Sequence, residues 1–243
     1  MEFNRISLFD VDSTNNYASN LMKSETLPHA SVITAQFQTQ GRGQRDNAWH
    51  GAANQNLMAT WIFYFDHLKV ANSFIYNQAV ALALRNSISV CLEKDVYIKW
   101  PNDIIVQDKK IAGILIENNI QGDNVKSSLC GIGVNVLQLQ FPVSKATSMR
   151  LAGSNIESVD SMLVIVHEQL LEHLEMLHNN PIGINKHYLQ HLYQMGKTIE
   201  FLHKDARLVG QIIGIDEWGR LQIETISQGT QVFQAGEIRW IWE

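Results

Sequence analysis

The pattern of the sequence changes once, close to Gly196, and this change limits the folds that the chain can adopt. Before it, helical and extended patterns are interspersed, and several extended segments follow one another directly. After it, only short β-like segments occur, ending with Ile238–Trp242, in which Ile238, Trp240 and Trp242 would share one face. Neighbouring strands with interspersed helices favour an α+β fold over a regular parallel βαβ repeat. We therefore expect two domains, residues 1–195 and an all-β module of residues 196–243.

Composition narrows the class of protein further. Apolar residues make up 45% of the 243 residues, which excludes intrinsic disorder. The net charge of -5 argues against a general attraction to nucleic acid or to an anionic membrane. No stretch reaches the roughly 18 apolar residues of a membrane span, and the N-terminus lacks a basic start with an apolar run. Cys91 and Cys130 have no metal-ligand spacing and are typical of a reducing compartment, so we expect a cytoplasmic protein.

Apolar periodicity predicts the individual elements. Strands are expected over Arg5–Phe9, Ser31–Phe37, Leu57–Phe65, Val96–Lys99, Ile104–Val106, Ile111–Glu117 and Ser128–Val136. Helices are expected after the capping side chains of Asp12–Thr14, over Asn72–Leu92, around Leu163–Leu177 and over Ile184–Gln194. The segment Gln38–Asn54 has no periodic pattern, and a loop of this length is usually functional or mobile.

Four segments could carry chemistry, and each also has a simpler explanation. Gly41–Arg45 combines glycines, which let backbone N–H groups approach an anion, with two guanidinium groups; a solvated basic loop would look the same. Lys99–Asp103 places amide and carboxylate groups at a strand end, or forms a turn that bonds its own backbone. Lys110–Glu117 places a lysine at the start of an apolar strand, where its charge could neutralise a carboxylate and a phosphate. Alternatively, this lysine lies on a hairpin and points to water. In Gly131–Asn135 the glycines leave part of another strand without side chains, or they mark a bulge.

Taken together and in this order, these segments resemble the biotin protein ligases. The resemblance covers essentially the whole chain: Ser13–Asn15, the GRG loop, KWPND, the KxAGILxE strand, GxGxN, and a final module with Gly214–Asp216 and Gly236–Ile238. It implies a mixed-sheet catalytic domain of the biotin/lipoate ligase type and a small SH3-like β-barrel. It also implies an ATP-dependent ligase that forms biotinyl-5′-AMP and transfers biotin to a lysine of a biotin carboxyl carrier protein. ATP with Mg²⁺ and biotin are then substrates, and no tightly bound prosthetic group is expected.

The resemblance also assigns roles to residues. It implies that Lys110, Arg42 and Asp103 are catalytic, with Lys110 bridging the biotin carboxylate and the α-phosphate. The implied biotin-binding residues are Ser13, Thr14, Asn15, Gln38, Gly41, Arg42, Gly43, Gln44, Lys110, Gly113, Gly131 and Gly133. The implied ATP-binding residues are Arg45, Trp49, Asn102, Asp103, Lys110 and Asn135. Magnesium is expected to be held mainly by phosphates.

The chain departs from the resemblance in the loop. Many of these ligases read GRGRxGRxW, whereas Gln44, Asp46 and Asn47 stand here in place of arginine, glycine and arginine. Gln44 keeps hydrogen-bonding capacity without charge, and Arg45 is expected to supply some of the missing charge. Only 12 residues precede Ser13, so we expect the monofunctional form without a DNA-binding domain, and hence no DNA partner and no membrane partner. A homodimer is compatible with the resemblance.

Two other functions remain open from the sequence. A lipoate ligase would share the fold and the adenylate logic, although KWPND and GRG favour biotin. A biotin sensor without catalysis would belong to another class. Because every segment of the resemblance that meets a ligand precedes Gly196, we expect the β module to assist turnover rather than to supply the biotin pocket.

Overall fold

A computed structural model of the protein describes residues 3–45, 47–226 and 228–241. The larger of its two sheets is mixed and has the strand order β1-β2-β3-β7-β6-β5-β4. Its strands are β1 (Arg5–Val11), β2 (Ser31–Gln38), β3 (Asn56–Tyr64), β4 (Val96–Lys99), β5 (Asp103–Val106), β6 (Lys109–Gln121) and β7 (Asn124–Asn135). Only β1 and β2 pair in parallel within this sheet, and the other neighbours are antiparallel.

Four α-helices cover the large sheet: α1 (Thr14–Leu21), α2 (Ser73–Ser89), α3 (Val159–Asn179) and α4 (Pro181–Gln190). A short 3-10 turn at Val70–Asn72 leads into α2. The predicted α+β class is therefore confirmed, with strands adjacent in sequence and helices between them.

The two faces of the large sheet pack against different helices. Val32 and Trp61 belong to the main apolar cluster, together with residues of α2, α3 and α4. Ile33 and Ile62, their neighbours in the chain, belong to a smaller cluster that includes Ala18 of α1. Because successive strand residues face opposite sides, three helices cover one face and α1 covers part of the other.

The final helix before the β module differs from its sequence prediction. The pattern predicted Ile184–Gln194, whereas α4 runs over Pro181–Gln190. Its start is set by the Asn180 Oδ1 atom, which accepts a hydrogen bond from the Gly183 N–H at 3.0 Å, with proline in the first turn. After α4 the chain pairs with β4 instead of continuing as helix, because the Tyr193 N–H donates to the Ile98 carbonyl at 2.8 Å.

The second sheet is antiparallel and has the order β11-β10-β9-β8-β12. Its strands are β8 (Thr198–His203), β9 (Ala206–Ile215), β10 (Leu221–Thr225), β11 (Gly229–Phe233) and β12 (Ile238–Trp240). This confirms the expected small β module of the SH3-like type. Trp242, which the sequence placed on one face with Ile238 and Trp240, lies outside the described residues.

The β module is joined to the large sheet through a common core. Phe201 and Ile212 belong to the same apolar cluster as the residues of α2. The Trp100 indole N–H, beside a cis peptide bond to Pro101, donates to the Gly219 carbonyl at 2.9 Å. Gly219 has φ 82°, and the ring of Phe74 occupies the position that a side chain would need there. The division into separately folding domains at residue 195 stays a prediction.

Two further sequence expectations concern cysteines and membranes. Both cysteines are free thiols; Cys130 is buried and Cys91 is half-buried. Burial raises the pKa of the Cys130 thiol to about 12, so this thiol is un-ionised at neutral pH. Among the described residues, none of the helices has the length and apolar character that crossing a membrane requires.

The β9–β10 turn is braced by one carboxylate. Asp216 accepts hydrogen bonds from the backbone N–H groups of Trp218 and Arg220 at 3.0 and 2.8 Å, and from the Arg220 guanidinium at 2.6 Å. Partial burial alone would raise the pKa of the Asp216 carboxyl. The bonds and charge of Arg220 and the Trp218 N–H outweigh burial and hold that pKa below its ordinary value.

We expect D216A to lower the free energy of unfolding at pH 7 by about 1–2 kcal/mol, since charge-assisted bonds are lost. The carboxyl pKa is lower in the folded chain than in the unfolded chain. Its contribution is therefore present above the ordinary value of 3.8 and is lost as pH falls through the folded-state pKa. Denaturant melts across pH measure this, with E217A as the control in the same turn. A difference between D216A and wild type that persists unchanged at the lowest pH would contradict it.

Candidate active site

A cavity of about 540 Å³ lies beside α1, between the large sheet, the loop after β2 and the β module. Every residue that the sequence assigned to the site lines it, except Gly41. They are Ser13, Thr14, Asn15, Gln38, Arg42, Gly43, Gln44, Arg45, Trp49, Asn102, Asp103, Lys110, Gly113, Gly131, Gly133 and Asn135. Their separate segments are therefore brought to one place, although the role of each residue stays a prediction.

The glycines of the GRG loop serve the loop's own conformation. A Cβ atom on Gly41 would overlap the carbonyl oxygen of Trp49, and the Gly41 carbonyl accepts the Trp49 N–H at 2.9 Å. The Gly43 N–H donates to the Asn47 carbonyl at 2.7 Å. Gly41 is thus needed for a close backbone approach, a reason different from the predicted ligand contact. Asp46 lies outside the described residues.

One end of the cavity is polar and buried. The Thr60 hydroxyl contacts the Asn15 Oδ1 atom at 2.6 Å, and the Asn15 amide donates to the Glu117 carboxylate at 2.7 Å. The Thr14 backbone N–H donates to the Gln38 Oε1 atom at 2.7 Å. Ser13 is buried at the N-cap of α1. These buried groups fix donors and acceptors beside the N-terminus of α1.

The structure corrects the expected capping role of Ser13. Its side chain makes no capping hydrogen bond, although the residue occupies the N-cap position of α1. The Asp12 carboxylate instead accepts from the Asn16 amide at 2.6 Å, which lowers the pKa of that carboxyl. The Ser13 side chain therefore has no capping partner at the N-terminus of α1, and the residue lines the cavity.

Arg42 ties the loop to the sheet. Its guanidinium pairs with the Glu117 carboxylate at 2.7 Å and donates to the Asn16 Oδ1 atom at 2.7 Å. The side chains of Arg42 and Glu117 are 43% and 35% exposed, so the pair contributes little to stability and mainly positions the loop. The predicted contact of Arg42 with a ligand carboxylate requires this guanidinium to share or exchange its partner.

The opposite end of the cavity is basic. The Lys110 ammonium lies 2.6 Å from the Asp103 carboxylate, and Lys99 is the register partner of Asp103 across β4 and β5. Burial lowers the pKa of Lys99 and the charge of Lys110 lowers it further, while Asp103 opposes both. Both lysines lie close to Asp103, and two cations at one end of the cavity favour an incoming anion.

Trp49 lies against the sheet inside the cavity. A Cβ atom on Gly133 would lie 2.5 Å from the indole, and one on Gly113 would lie 3.3 Å from it. The Lys110 ammonium lies 5.7 Å from the centre of the indole ring, and the indole N–H is buried without a hydrogen-bond partner among the described residues. The sequence predicts that a ligand lies against Gly113 and Gly133. In the structure the Trp49 side chain covers this face of β6 and β7.

Two asparagines keep free acceptor capacity at the cavity wall. The Asn102 amide donates to the Ile114 carbonyl at 2.8 Å. The Asn135 amide donates to the Thr147 carbonyl at 2.9 Å, while its buried Oδ1 atom has no hydrogen-bond partner among the described residues. A buried unpaired acceptor is costly, so it marks a place where a ligand donor would be favoured.

Sequence reasoning missed three kinds of site residue. Thr60 and Lys99 had a signal: one is a lone polar residue in an apolar strand, and the other heads the KWPND segment. The segment Phe141–Val143 with Ala146 also lines the cavity without any such signal. Four residues of the β module line it as well, so the module contributes more to the site than the sequence indicated. They are Gly236, Ile238, Arg239 and Trp240.

One cavity on the mixed sheet thus combines a buried polar end with a basic end, so it can hold an uncharged polar group and an anion side by side. The family model described as the Biotin/lipoate A/B protein ligase family matches residues 8–135. This match covers more than half of the sequence. The chain belongs to this family.

Individual relatives agree with this assignment. The chain is 26% identical over 232 residues to the bifunctional ligase/repressor BirA of Bacillus spizizenii, covering 93% of this chain and 71% of that protein. It is 32% identical over 127 residues to the biotin--[acetyl-CoA-carboxylase] ligase of Paracoccus denitrificans, covering 51% of each. The fold matches that of the biotin protein ligase from Aquifex aeolicus in complex with biotin and ATP, with a TM-score of 0.79, 23% identity and full coverage of both chains.

The packing of Trp49 on Gly133 predicts a spectroscopic change. G133A should displace the indole from the strand, because the backbone of β7 cannot retreat within the sheet. We expect a red-shifted tryptophan emission with an unchanged far-ultraviolet circular dichroism spectrum. G113A is the graded comparison and should shift the emission less, since its new methyl group would lie 3.3 Å from the indole and 3.2 Å from the flexible end of Lys110, whereas that of G133A would lie 2.5 Å from the indole. If G133A shifts the emission equally in a W49F background, the change does not arise from Trp49.

Proposed function

We propose that the chain is an ATP-dependent biotin–protein ligase that forms biotinyl-5′-AMP and transfers the biotinyl group to a lysine of a carrier protein. The observation that carries this proposal is the junction, within one cavity, of the buried polar end at Ser13–Asn15 with the lysine pair Lys99 and Lys110. The biotin and ATP complexes described for the relatives support it.

The buried polar end suits the ureido head of biotin. That head presents one carbonyl acceptor and two N–H donors, so its binding needs both kinds of group within a small volume. We assign the carbonyl to the Ser13 hydroxyl and the Gln38 amide, and the head as a whole to the pocket beside Asn15. A lipoyl dithiolane ring would leave these buried polar groups unpaired, which favours biotin over lipoate.

The basic end suits the first chemical step. An oxygen of the biotin carboxylate attacks the α-phosphorus of ATP, the bond to the β-phosphate bridging oxygen breaks, and pyrophosphate leaves with that electron pair. Lys110 and Lys99 offset the repulsion between the two anions and the charge that builds on the α-phosphate oxygens. Holding both reactants in one cavity supplies much of the remaining rate gain.

Magnesium accompanies ATP as part of the substrate. Asp103 is the only carboxylate among the described residues that line the cavity, and it is already paired with Lys110. A single carboxylate fits an ion that keeps several waters and binds mainly through substrate phosphates. The bound ion would neutralise phosphate charge.

In the second step the amine of an acceptor lysine attacks the carbonyl carbon of the mixed anhydride, and AMP leaves. We assign this acceptor to a biotin carboxyl carrier protein or to the carrier domain of a biotin-dependent carboxylase. Trp49 and the loop that holds it would shield the anhydride from water. The absence of DNA binding, a homodimer and a cytoplasmic location stay predictions.

Biotin-dependent exchange of labelled pyrophosphate into ATP tests the first step, and transfer of labelled biotin to a purified carrier domain tests the second. We expect both with this protein alone. Exchange that depends on lipoate instead would assign the chain to the other branch of the family. Tight biotin binding without any exchange would show a sensor rather than an enzyme.

Lys110 provides a sharper test of the first step. K110A should slow single-turnover formation of biotinyl-5′-AMP by on the order of 10²–10³, because one electrostatic stabiliser of the transition state is lost. K109A is the internal control, since Lys109 is exposed and does not line the cavity. Thermal melts of both variants exclude a folding defect. A normal rate for K110A would remove this lysine from the reaction.

A further inference from the structure

The loop after β2 and a second segment of the cavity wall meet at one end of the large sheet. The loop runs into β3 at Asn56, and residues 136–146 follow Asn135, the last residue of β7. Asn56 and Asn135 are register partners in the antiparallel pair of β3 with β7. Both segments line the cavity. The strand pairing therefore places the end of one wall segment beside the start of the other.

A buried glutamine joins the two segments at this point. Gln138 is 6% exposed, and its Oε1 atom accepts hydrogen bonds from the Ala52 N–H at 2.9 Å and from the Asn56 amide. Its Nε2 atom donates to the Gln140 carbonyl at 2.7 Å. Ala52 belongs to the loop, Asn56 begins β3, and Gln140 lies in the second segment. One side chain thus bonds all three parts of the chain.

The hydrogen bonds fix which way the Gln138 amide points. The Ala52 N–H needs an acceptor and the Gln140 carbonyl needs a donor, so the oxygen and the nitrogen of Gln138 cannot change places. Asn56 is fixed in the same way, because its Oδ1 atom accepts from the Val136 N–H at 3.2 Å and its amide nitrogen therefore faces Gln138. Loss of the Gln138 amide would leave these groups without their partner, which is costly away from water. The position thus requires an acceptor and a donor from one side chain.

These bonds lie only three residues from side chains that line the cavity. Trp49 precedes Ala52 by three residues in the loop, and Phe141 follows Gln138 by three residues in the second segment. The Trp49 indole also packs on the backbone of Gly133. Because each residue contributes only two soft backbone torsions, such short connections leave little freedom between the bonds and the cavity. The Gln138 amide therefore determines how closely the two wall segments approach each other.

We propose that Gln138 is a positioning residue that holds the loop and residues 136–146 together as one wall, and so retains biotinyl-5′-AMP until the acceptor lysine arrives. This inference rests on the proposed function. The adenylate joins a biotinyl and a nucleotide part in one molecule, so it contacts more of the wall than biotin alone. Biotin is assigned to the polar end at Ser13–Asn15, whereas the hydrogen bonds of Gln138 go to other residues. Early release would expose the anhydride to water, whose attack on the carbonyl carbon gives biotin and AMP.

Retention of the adenylate tests this role. Q138M removes the amide and nearly keeps the volume of the side chain. Synthetic labelled biotinyl-5′-AMP, chased with unlabelled adenylate, should dissociate from this variant on the order of 10- to 100-fold faster than from wild type, because several hydrogen bonds are lost. The KM for biotin in the pyrophosphate-exchange assay should stay unchanged. Q140M is the matched control, since the Gln140 side chain is exposed and only its backbone carbonyl bonds Gln138.

Hydrogen exchange of the ligand-free protein tests the bonds without reference to function. The amides of residues 50–54 and 137–147 should exchange on the order of 10-fold faster in Q138M, and at the wild-type rate in Q140M. Q138N keeps an amide that is one methylene too short to reach the same partners. It should give the same result, and it replaces Q138M if that variant does not fold.

The proposal fails if Q138M matches Q140M in hydrogen exchange, because the two segments are then not joined by this side chain. It also fails if hydrogen exchange rises while the adenylate dissociates at the wild-type rate. A KM for biotin that rises as strongly as the dissociation rate would indicate a general structural defect and would likewise overturn it. Wild-type protein without biotin-dependent pyrophosphate exchange would instead overturn the proposed function, and the inference about the adenylate with it.

Discussion

The pairing of β6 with β7 is the constraint on which the site depends. Gly113 lies opposite Gly133, and Gly131 lies opposite Thr60 of β3, so glycines thin one face of the sheet beside α1. A side chain at Gly131 would overlap the Asn15 side chain, and one at Gly133 would overlap Trp49. The groove is thus created by missing side chains in a sheet whose other face is closely packed. The same registers that build the core determine where the groove lies.

Electrostatics then divide this groove into two unlike ends. At the end near α1, the lining side chains of Ser13, Thr14 and Asn15 are uncharged and buried, so that end favours an uncharged polar ligand. At the other end Lys110 and Lys99 lie close to Asp103, and the lowered pKa of Lys99 shows that burial already disfavours its charge. An anion that enters there would favour the ammonium charge that burial disfavours at Lys99. A carboxylate linked to a neutral head group would span the two ends.

The sequence predicts most elements because their signals are local. The glycine and lysine segments are each short and lie on neighbouring strands, so pairing β5, β6 and β7 brings them together. The start of α4 was missed because the Asn180–Pro181 signal was weighed less than the apolar pattern that follows it. The position of Trp49 and the lining residues of β12 depend on tertiary contacts that no local pattern encodes. Arg239 is an ordinary exposed residue of a short strand until the module docks.

Docking of the β module brings the residues of β12 to the wall of the cavity, next to Lys99. The Trp100 indole N–H reaches the Gly219 carbonyl from within the KWPND turn, directly after Lys99. Lys99 in turn lies over the ring of Trp240. The basic end of the cavity and the β module are therefore held by adjacent residues of one strand end, and their apolar cores are continuous. Gly236 of the module contacts the Arg45 guanidinium of the loop, and Trp240 of its final strand contacts Lys99. The geometry makes the module part of the wall at the basic end of the cavity.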